Sequence, residues 1–531
     1  MTKESFLRGA VILALASTVS RLIGLVYMVV LPRLIHDVGM GLYQLVKPIH
    51  YFAAVVAIGG MPVAISKLIA EKVALGSPRE VMRVFRLGML IMILTGGLVA
   101  VALVIGAPWF AKVFAKDPGV TRMLAILGPA CLFLSLSAGF RGFFQGLQSM
   151  TPTAISQVID QIVRVGATIG LSIWLRPRGI EMAVTGVAWG FIVGELTGWL
   201  ILLGYYFTQR DALIEEIRVA RMVKPEPSGQ IVARLLSLAA PAVVATILWP
   251  IMQLADSFLI PLRMQAAGFS PDTIREGLGH LGMALTLAQF PNIITVALAT
   301  SLVPAISEAW TLRNSKLVRY RAEEALRIAL IFGIPACAAL YVLAEPLSVL
   351  LFRYAQVGIP LRILSVGTVT LGVIQASTGV LQGLGLMSIP VRNLGIGVVI
   401  KFTLNYVLVA NTQLGILGAA WSTTLGWLLI AVLNLISVYR KVGHVINWKT
   451  SLIFPSLATG LASLIMYLLY DALNLYLSNG IATLGALIFS LVLYFLLLMI
   501  WGSLTERDIQ LVPAIGSPLG RWLQEWGFLR K

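Results

Sequence analysis

Charged side chains are scarce in this sequence. Asp, Glu, Lys and Arg together make up 12% of the 531 residues, about half of their share in a typical soluble domain. Only two cysteines are present, Cys131 and Cys337, so no disulfide framework is expected, and no Cys/His spacing indicates a metal site. Nucleophile signatures and phosphate-binding glycine loops are also missing. These absences exclude an ordinary soluble domain and give no support to an enzyme.

Apolar residues make up 58% of the chain and the mean hydropathy is +0.90. They occur in runs of about 20 to 28 residues, the length that a helix needs to cross a bilayer. Barrel strands would be shorter and would alternate in polarity. The sequence therefore predicts an all-α integral membrane protein with about 14 transmembrane helices, at 6–31, 43–70, 84–110, 122–147, 153–175, 183–207, 235–262, 280–306, 327–352, 361–385, 391–411, 416–438, 451–473 and 480–502.

The placement of the 40 Lys and Arg residues predicts the orientation. They are concentrated in the loops on the same side as both chain ends, and the positive-inside rule makes that side cytoplasmic. The first apolar segment carries Arg21 and lacks a small-residue cleavage site, so we expect it to remain in the mature protein. Basic residues spread over many short loops favour contact with anionic lipids of the cell membrane rather than with nucleic acid.

A repeat divides most of the chain. "RGFFQGLQSM" from Arg141 and "TGVLQGLGLM" from Thr378 match at five of ten positions, which indicates an internal duplication. "GVAWGFIVGEL" resembles "GAAWSTTLGWL" in the same way, and "MPVAIS" at 61–66 resembles "VPAIS" at 303–307. Each copy contains six predicted helices, so both begin on the same face of the membrane and the repeat is parallel.

The repeat predicts two six-helix lobes, related by a pseudo-two-fold axis, around a central cleft. We place the N-terminal lobe at 1–210, a cytoplasmic linker at 211–232 and the C-terminal lobe at 233–442. Two extra helices follow at 443–503, and a cytoplasmic tail at 504–531.

Charges inside membrane spans are costly and mark candidate sites. Asp160 and Arg164 are four residues apart and so share one helix face. They could form an internal salt bridge that only fixes this helix, or Asp160 could orient Arg164 for an anionic substrate. The charges predicted at membrane depth are Arg21, Lys47, Lys67, Arg141, Asp160, Arg164, Glu195, Asp256 and Lys401.

Three other residues of the first lobe are candidates for substrate contact. Arg21 has no acid within one turn, so we expect it to face a water-filled cavity with an anionic ligand. Lys47 and His50 flank Pro48, which can bend the helix, and a structural role for them is as plausible as binding.

In the second lobe, we predict coupling or gating at Asp256, Lys401 and Asn405. Asp256 could pair with Lys401 and lock the lobe, or it could bind a coupling cation such as Na⁺ or H⁺. No other cofactor and no bound metal are expected.

The stretch "FLRGAVILALASTVSRLIGLVYMVVLPRLIHDVGMGLYQLVKPI", with "GMPVAISKLIAEKVALG" after it, resembles the stage V sporulation protein B and polysaccharide export family. That family is related to lipid II flippases and to multidrug exporters of one superfamily. The resemblance implies that Arg21 lines the substrate cavity and that Lys47 and Pro48 belong to a second-helix element.

The same resemblance implies a flippase that moves an undecaprenyl-pyrophosphate-linked saccharide, such as lipid II, across the cytoplasmic membrane by alternating access. Its partners would be the lipid-linked oligosaccharide, membrane lipids and cell-wall synthesis proteins, and we expect a monomer. Two alternatives remain open: a cation-coupled multidrug exporter, and a scaffold for cell-wall or spore-cortex synthesis that transports nothing.

Overall fold

The computed structural model describes residues 6–219 and 226–503, and no strand occurs in these ranges. The predicted cytoplasmic tail, 504–531, lies outside the described residues. Short 3₁₀ turns and one π-helical turn, Trp448–Ile453, join some of the helices. The α-helices are α1 Phe6–Ile58, α2 Met61–Ala74, α3 Pro78–Val113, α4 Thr121–Gly146, α5 Thr151–Leu175, α6 Ile180–Val219, α7 Ser228–Ala266, α8 Pro271–Gln289, α9 Asn292–Thr311, α10 Ser315–Val342, α11 Ala344–Phe352, α12 Gly358–Gly383, α13 Ser388–Leu408, α14 Ile416–Val442, α15 Phe454–Asn474 and α16 Asn479–Ile500.

Two predicted spans, the second and the eighth, are interrupted in ways that the apolar pattern did not indicate. The break in α1 at His36, where φ is 60°, is different, because it falls between the first and second predicted spans. Gly59 and Gly60, both with positive φ, separate α1 from α2, because glycine adopts this conformation without a steric penalty. The eighth predicted span is likewise divided between α8 and α9.

Eleven helices in the described ranges are long and apolar enough to cross a membrane. This finding confirms a helical, multi-pass membrane protein, whereas the number fourteen stays a prediction. The predicted linker, 211–232, lies partly outside the described residues and stays a prediction; within them, α6 continues to Val219 and α7 begins at Ser228.

The helices form two compact units that divide between Gly279 and His280. The helix α7 packs against α1 and α2 and therefore belongs to the first unit. A salt bridge between Arg234 on α7 and Glu71 on α2, 2.7 Å long, is part of this contact. The division thus falls later in the chain than the lobe boundary predicted from the repeat.

Each unit has its own apolar core. In the first unit, Phe85 of α3 meets Phe143 of α4 with ring centroids 4.3 Å apart, and Tyr206 of α6 closes the cluster at 5.4 Å from Phe85. In the second unit, aliphatic residues from α9, α10, α12 and α14 fill the corresponding space. Such close packing makes each unit a rigid support for the polar residues between its helices.

Glycines at the duplicated "QGL" segments make the same contacts in both units. A Cβ atom added at Gly146 would lie 2.7 Å from Cβ of Ile69, and one added at Gly383 would lie 2.6 Å from Cβ of Ile306. Only glycine allows the helices to approach this closely. The sequence repeat is therefore also a repeat in packing.

The packing corrects one pairing of the two copies. The sequence aligned Pro62 with Pro304, because both stand in similar short strings. In the structure, Gly142 faces the carbonyl of Pro62, whereas its counterpart Gly379 faces the carbonyl of Ala299. Ala299 is thus the equivalent of Pro62, and the alignment of the two strings was wrong by about one helical turn.

Candidate functional site

The helices α5 and α6 form an antiparallel hairpin that turns at Gly179. Glycines at every fourth position of α6 face α5: Gly186, Gly190, Gly194 and Gly198. A Cβ atom at Gly194 would lie 2.6 Å from Cβ of Arg164 and 2.8 Å from Oδ1 of Asp160. This row of glycines lets the polar face of α5 approach the backbone of α6.

A charged cluster lies between these helices. Nη2 of Arg164 donates to both carboxylate oxygens of Asp160, at 2.9 and 2.7 Å, and to Oε1 of Glu195 at 3.2 Å. Asp160 and Glu195 are only 3% and 4% exposed. Burying two carboxylates is tolerable only because a guanidinium pairs with both of them. The predicted contact between Asp160 and Arg164 is present, and Glu195 is its third member.

Arg141 on α4 extends this cluster. Its Nη2 lies 3.9 Å from Oδ2 of Asp160, which is an ion pair but too long for a hydrogen bond. Nε and Nη2 of Arg141, Nε of Arg164 and Oε2 of Glu195 are buried and have no hydrogen-bond partner among the described residues. The cluster therefore balances two positive and two negative charges but leaves several donors unused.

Phe191 on α6 connects the same guanidinium with His50 on α1. The ring of Phe191 lies 5.1 Å from Cζ of Arg164 and 5.3 Å from the ring of His50, so it connects the two side chains. His50 is buried, and its Nδ1 lies 3.6 Å from Sγ of Cys131. The structure thus brings together three predicted site residues, Asp160, Arg164 and His50.

Lys47 and Arg21, the other two predicted cations for substrate contact, both lie on α1. Nζ of Lys47 lies 5.9 Å from the ring of Tyr43 and 5.8 Å from the ring of Tyr51, a favourable position for a cation over aromatic faces. Arg21 is exposed on α1. Within the described part of the chain, neither residue has an acidic partner within 4 Å.

The second unit contains the counterpart of this hairpin in α13 and α14. A Cβ atom at Gly426 would lie 3.1 Å from Cβ of Lys401, just as Gly194 faces Arg164. Lys401 is 4% exposed. Lys401 therefore has the same place in the packing of the second unit as Arg164 has in the first.

The acids of the cluster are not repeated. Gly397 stands one turn before Lys401, where the first unit has Asp160, and Trp427 follows Gly426, where the first unit has Glu195. Trp427 is almost fully buried. The duplicated hairpin thus holds a charged cluster in the first unit, whereas in the second it holds Lys401 together with hydrogen-bonded amides such as Asn393 with Asn434.

The predicted coupling residues are divided between the two units. Asp256 lies half-buried on α7 in the first unit, and Asn405 lies buried on α13 in the second, where it accepts a hydrogen bond from Oγ of Ser422. Their pairing and gating roles stay predictions. No group of three His, Cys, Asp or Glu residues that could hold a metal ion occurs in the described ranges.

Sequence reasoning counted Glu195 and Arg141 among the charges at membrane depth but did not assign them to the site, and it missed Phe191. A usable signal was present for Glu195. In an antiparallel hairpin, residues equally far from the turn face each other, and Arg164 and Gly194 are both fifteen residues from Gly179. This symmetry places Glu195 beside Arg164.

Comparison with known proteins gives relatives over nearly the whole chain. The chain is 28% identical over 527 residues to stage V sporulation protein B of Bacillus subtilis, covering 97% of this chain and 99% of that protein. It is 26% identical over 464 residues to lipid II flippase MurJ of the same organism, covering 83% of this chain and 84% of that protein.

Among solved structures, the chain resembles an inward-facing multidrug resistance MATE family transporter of the MOP superfamily. The TM-score is 0.65 at 16% identity, covering 81% of this chain and 95% of that one. The MurJ protein and the MATE protein are by name a flippase and a transporter, not enzymes, in agreement with the prediction of no enzymatic activity. The chain is thus a multi-pass membrane protein with the fold of that transporter superfamily.

The family model described as polysaccharide biosynthesis protein matches residues 6–310, more than half of the sequence. The match includes α1, with Arg21 and Lys47, and the α5–α6 hairpin that holds the charged cluster. The chain belongs to the polysaccharide biosynthesis protein family.

Proposed function

We propose that the protein is a flippase that carries an undecaprenyl-pyrophosphate-linked saccharide, such as lipid II, from the inner to the outer leaflet of the cytoplasmic membrane. The observation that carries the proposal is a pair of cations on α1. Lys47 and Arg21 are cations in a membrane-spanning helix without an acidic partner in the described residues. A substrate with a pyrophosphate group would supply the missing negative charge.

The charged cluster has a separate role in this proposal. Arg164 already shares its charge with Asp160 and Glu195, so it is a weaker anion site than Lys47. Nε of Arg164, and Nε and Nη2 of Arg141, have no hydrogen-bond partner in the described residues. They could still donate to a phosphate oxygen that comes near. We infer that the cluster holds α4, α5 and α6 together and adds hydrogen bonds to the substrate, while Arg21 and Lys47 provide the net positive charge.

Translocation then follows from alternating access. A substrate bound in one conformation must be released in the other, so its differential affinity for the two states drives the change. The cations reduce the cost of moving a pyrophosphate through the hydrocarbon region because they replace part of its hydration. No covalent bond changes in this cycle.

The relationship to lipid II flippase MurJ supports this class of substrate. A multidrug exporter for cationic compounds would need acids that are available to the compound or to a coupling ion. Here Asp160 and Glu195 are buried and paired with Arg164, which favours an anionic substrate over a cationic drug.

A flipping assay in reconstituted vesicles tests the proposal. The wild-type protein should move a fluorescent polyprenyl-pyrophosphate saccharide between leaflets, and Arg21→Gln should reduce the rate at least tenfold. Arg79→Gln removes one charge at the exposed start of α3 and serves as the matched control, with an unchanged rate. Equal rates for both variants would remove Arg21 from the site, and no flipping by the folded wild type would favour the scaffold.

A further inference from the structure

A pocket of about 410 Å³ lies in the second unit, far along the chain from the charged cluster. One wall is the first part of α10, and the other is the connection between α14 and α15. The residues that line it are Arg319, Glu323, His444, Ile446, Asn447, Trp448 and Lys449. The flippase proposal assigns no role to any of them.

The charges of this pocket are mostly positive, and in the described ranges no ion pair within 4 Å neutralises them. Arg319 and Lys449 carry fixed positive charges, and Glu323 carries the only negative one among the lining residues. Glu323 stands one turn after Arg319 on α10, but the two form no ion pair within 4 Å in the described residues. The pocket therefore has a net positive charge and one carboxylate that can accept hydrogen bonds.

Its surroundings are those of a membrane interface. Trp448 is 56% exposed and Tyr439, on the last turns of α14, is also exposed, and such aromatic residues are typical of the headgroup level. Arg440 and Lys441 lie in the last turn of α14. This face of the protein is the one that the distribution of basic residues predicts to be cytoplasmic.

An exposed apolar stripe begins directly after the pocket. The π-helical turn that starts at Trp448 leads into α15, and large apolar side chains recur on one exposed face of this segment. They are Ile453, Leu457, Leu461, Leu464 and Leu468, a spacing of three or four residues that places them in one line along the helix. Acyl chains that extend from the pocket into the bilayer would run along this line.

We propose that the pocket binds the headgroup of an anionic glycerophospholipid of the cytoplasmic leaflet. The phosphate diester contacts Arg319 and Lys449, hydroxyl groups of the headgroup donate to Glu323, and the acyl chains lie against the stripe on α15. Phosphate chemistry alone would also admit inorganic phosphate, but the continuous apolar stripe favours a ligand with chains. The site shares no residue with the one proposed for the transported substrate, and a bound lipid would hold the start of α15 at the level of the headgroups.

Lipid titration of the purified full-length protein tests this site. Phosphatidylglycerol, phosphatidylethanolamine and inorganic phosphate are added separately to the protein in detergent, and bound molecules are counted by native mass spectrometry. We expect the first phosphatidylglycerol molecule to bind more tightly than further phosphatidylglycerol molecules, and more tightly than phosphatidylethanolamine or inorganic phosphate. Arg319→Gln together with Lys449→Gln should weaken it at least tenfold, since each basic residue near an anionic surface contributes appreciably to binding.

Lys316→Gln together with Arg440→Gln is the matched control, because both residues are exposed on the same face but do not line the pocket. This double variant should bind the first phosphatidylglycerol molecule as tightly as the wild type does. Hydrogen exchange should show that the lipid protects only the segments 315–324 and 443–450 in the wild type. Thermal unfolding of both double variants establishes that they are folded.

Three results would overturn the proposal. Equal weakening by both double variants would mean that the whole basic face attracts lipid without a specific pocket. Equal affinity for phosphatidylethanolamine would mean that the negative charge is not recognised, and binding of inorganic phosphate as tightly as the lipid would mean a site for a free anion.

Discussion

Nη2 of Arg164 on α5 donates a hydrogen bond to Oε1 of Glu195 on α6 at 3.2 Å. This bond joins the interior parts of two neighbouring helices, and the same guanidinium binds Asp160 on its own helix. A buried charge network of this kind is sensitive to the loss of one member, because the remaining charge stays buried without full compensation.

The first prediction concerns this network. Glu195→Gln keeps the shape of the side chain and removes its charge, so Arg164 retains only Asp160 as an ionised partner. We expect the free energy of unfolding to fall by about 1–3 kcal/mol, measured by thermal or denaturant unfolding in detergent.

A surface pair of similar length provides the control. Arg321 and Glu308 lie 3.3 Å apart, but the side chain of Glu308 is 65% exposed. Glu308→Gln should change the free energy of unfolding by less than about 1 kcal/mol, since exposed ion pairs contribute little. An equal effect of the two variants would show that burial between α5 and α6 adds nothing to the network.

The second prediction uses the packing repeat. Gly146→Ala and Gly383→Ala should each destabilise the protein by about 1–3 kcal/mol, because the new methyl group would overlap the side chain of Ile69 or of Ile306. Gly166→Ala, at a helical position with nothing within 4 Å, should be neutral or slightly stabilising. If Gly383→Ala behaved like the Gly166 variant, the two copies would not share the close helix contact.

The third prediction separates charge from size at Lys47. Lys47→Met should reduce lipid flipping at least tenfold, whereas Lys47→Arg should retain most of the rate, since an arginine can also lie over Tyr43 and Tyr51. Both variants should remain folded, because Lys47 has no acidic partner in the described residues that the change would leave unpaired. Full activity of Lys47→Met would exclude this lysine from substrate binding.

Much of the fold follows from the sequence, because long apolar runs in a chain with few charges leave helices as the main solution in a membrane. The interruption inside the second predicted span was not predictable from hydropathy. Gly59 and Gly60 have apolar residues on both sides, and the apolar pattern continues across them. The break at His36, by contrast, falls between the first and second predicted spans, where the sequence predicts a connection.

The site was predictable in part. The contact between Asp160 and Arg164 was predictable from their spacing, because such a contact depends only on the geometry of one helix. Glu195 and Arg141 stand on other helices, and their distances to Asp160 and Arg164 depend on how α4, α5 and α6 pack. Phe191 gave no signal, since a phenylalanine in an apolar span is most often ordinary packing.

The lipid that accompanies the purified protein tests the central claim most directly. Membranes that contain cell-wall precursors are solubilised, and the lipids bound to the wild type, to Arg21→Gln with Lys47→Gln, and to Arg79→Gln are identified by mass spectrometry. The flippase proposal predicts a polyprenyl-pyrophosphate saccharide enriched on the wild type and on Arg79→Gln and depleted on the double variant. No such lipid above the level of an unrelated membrane protein, with all variants folded, would contradict it.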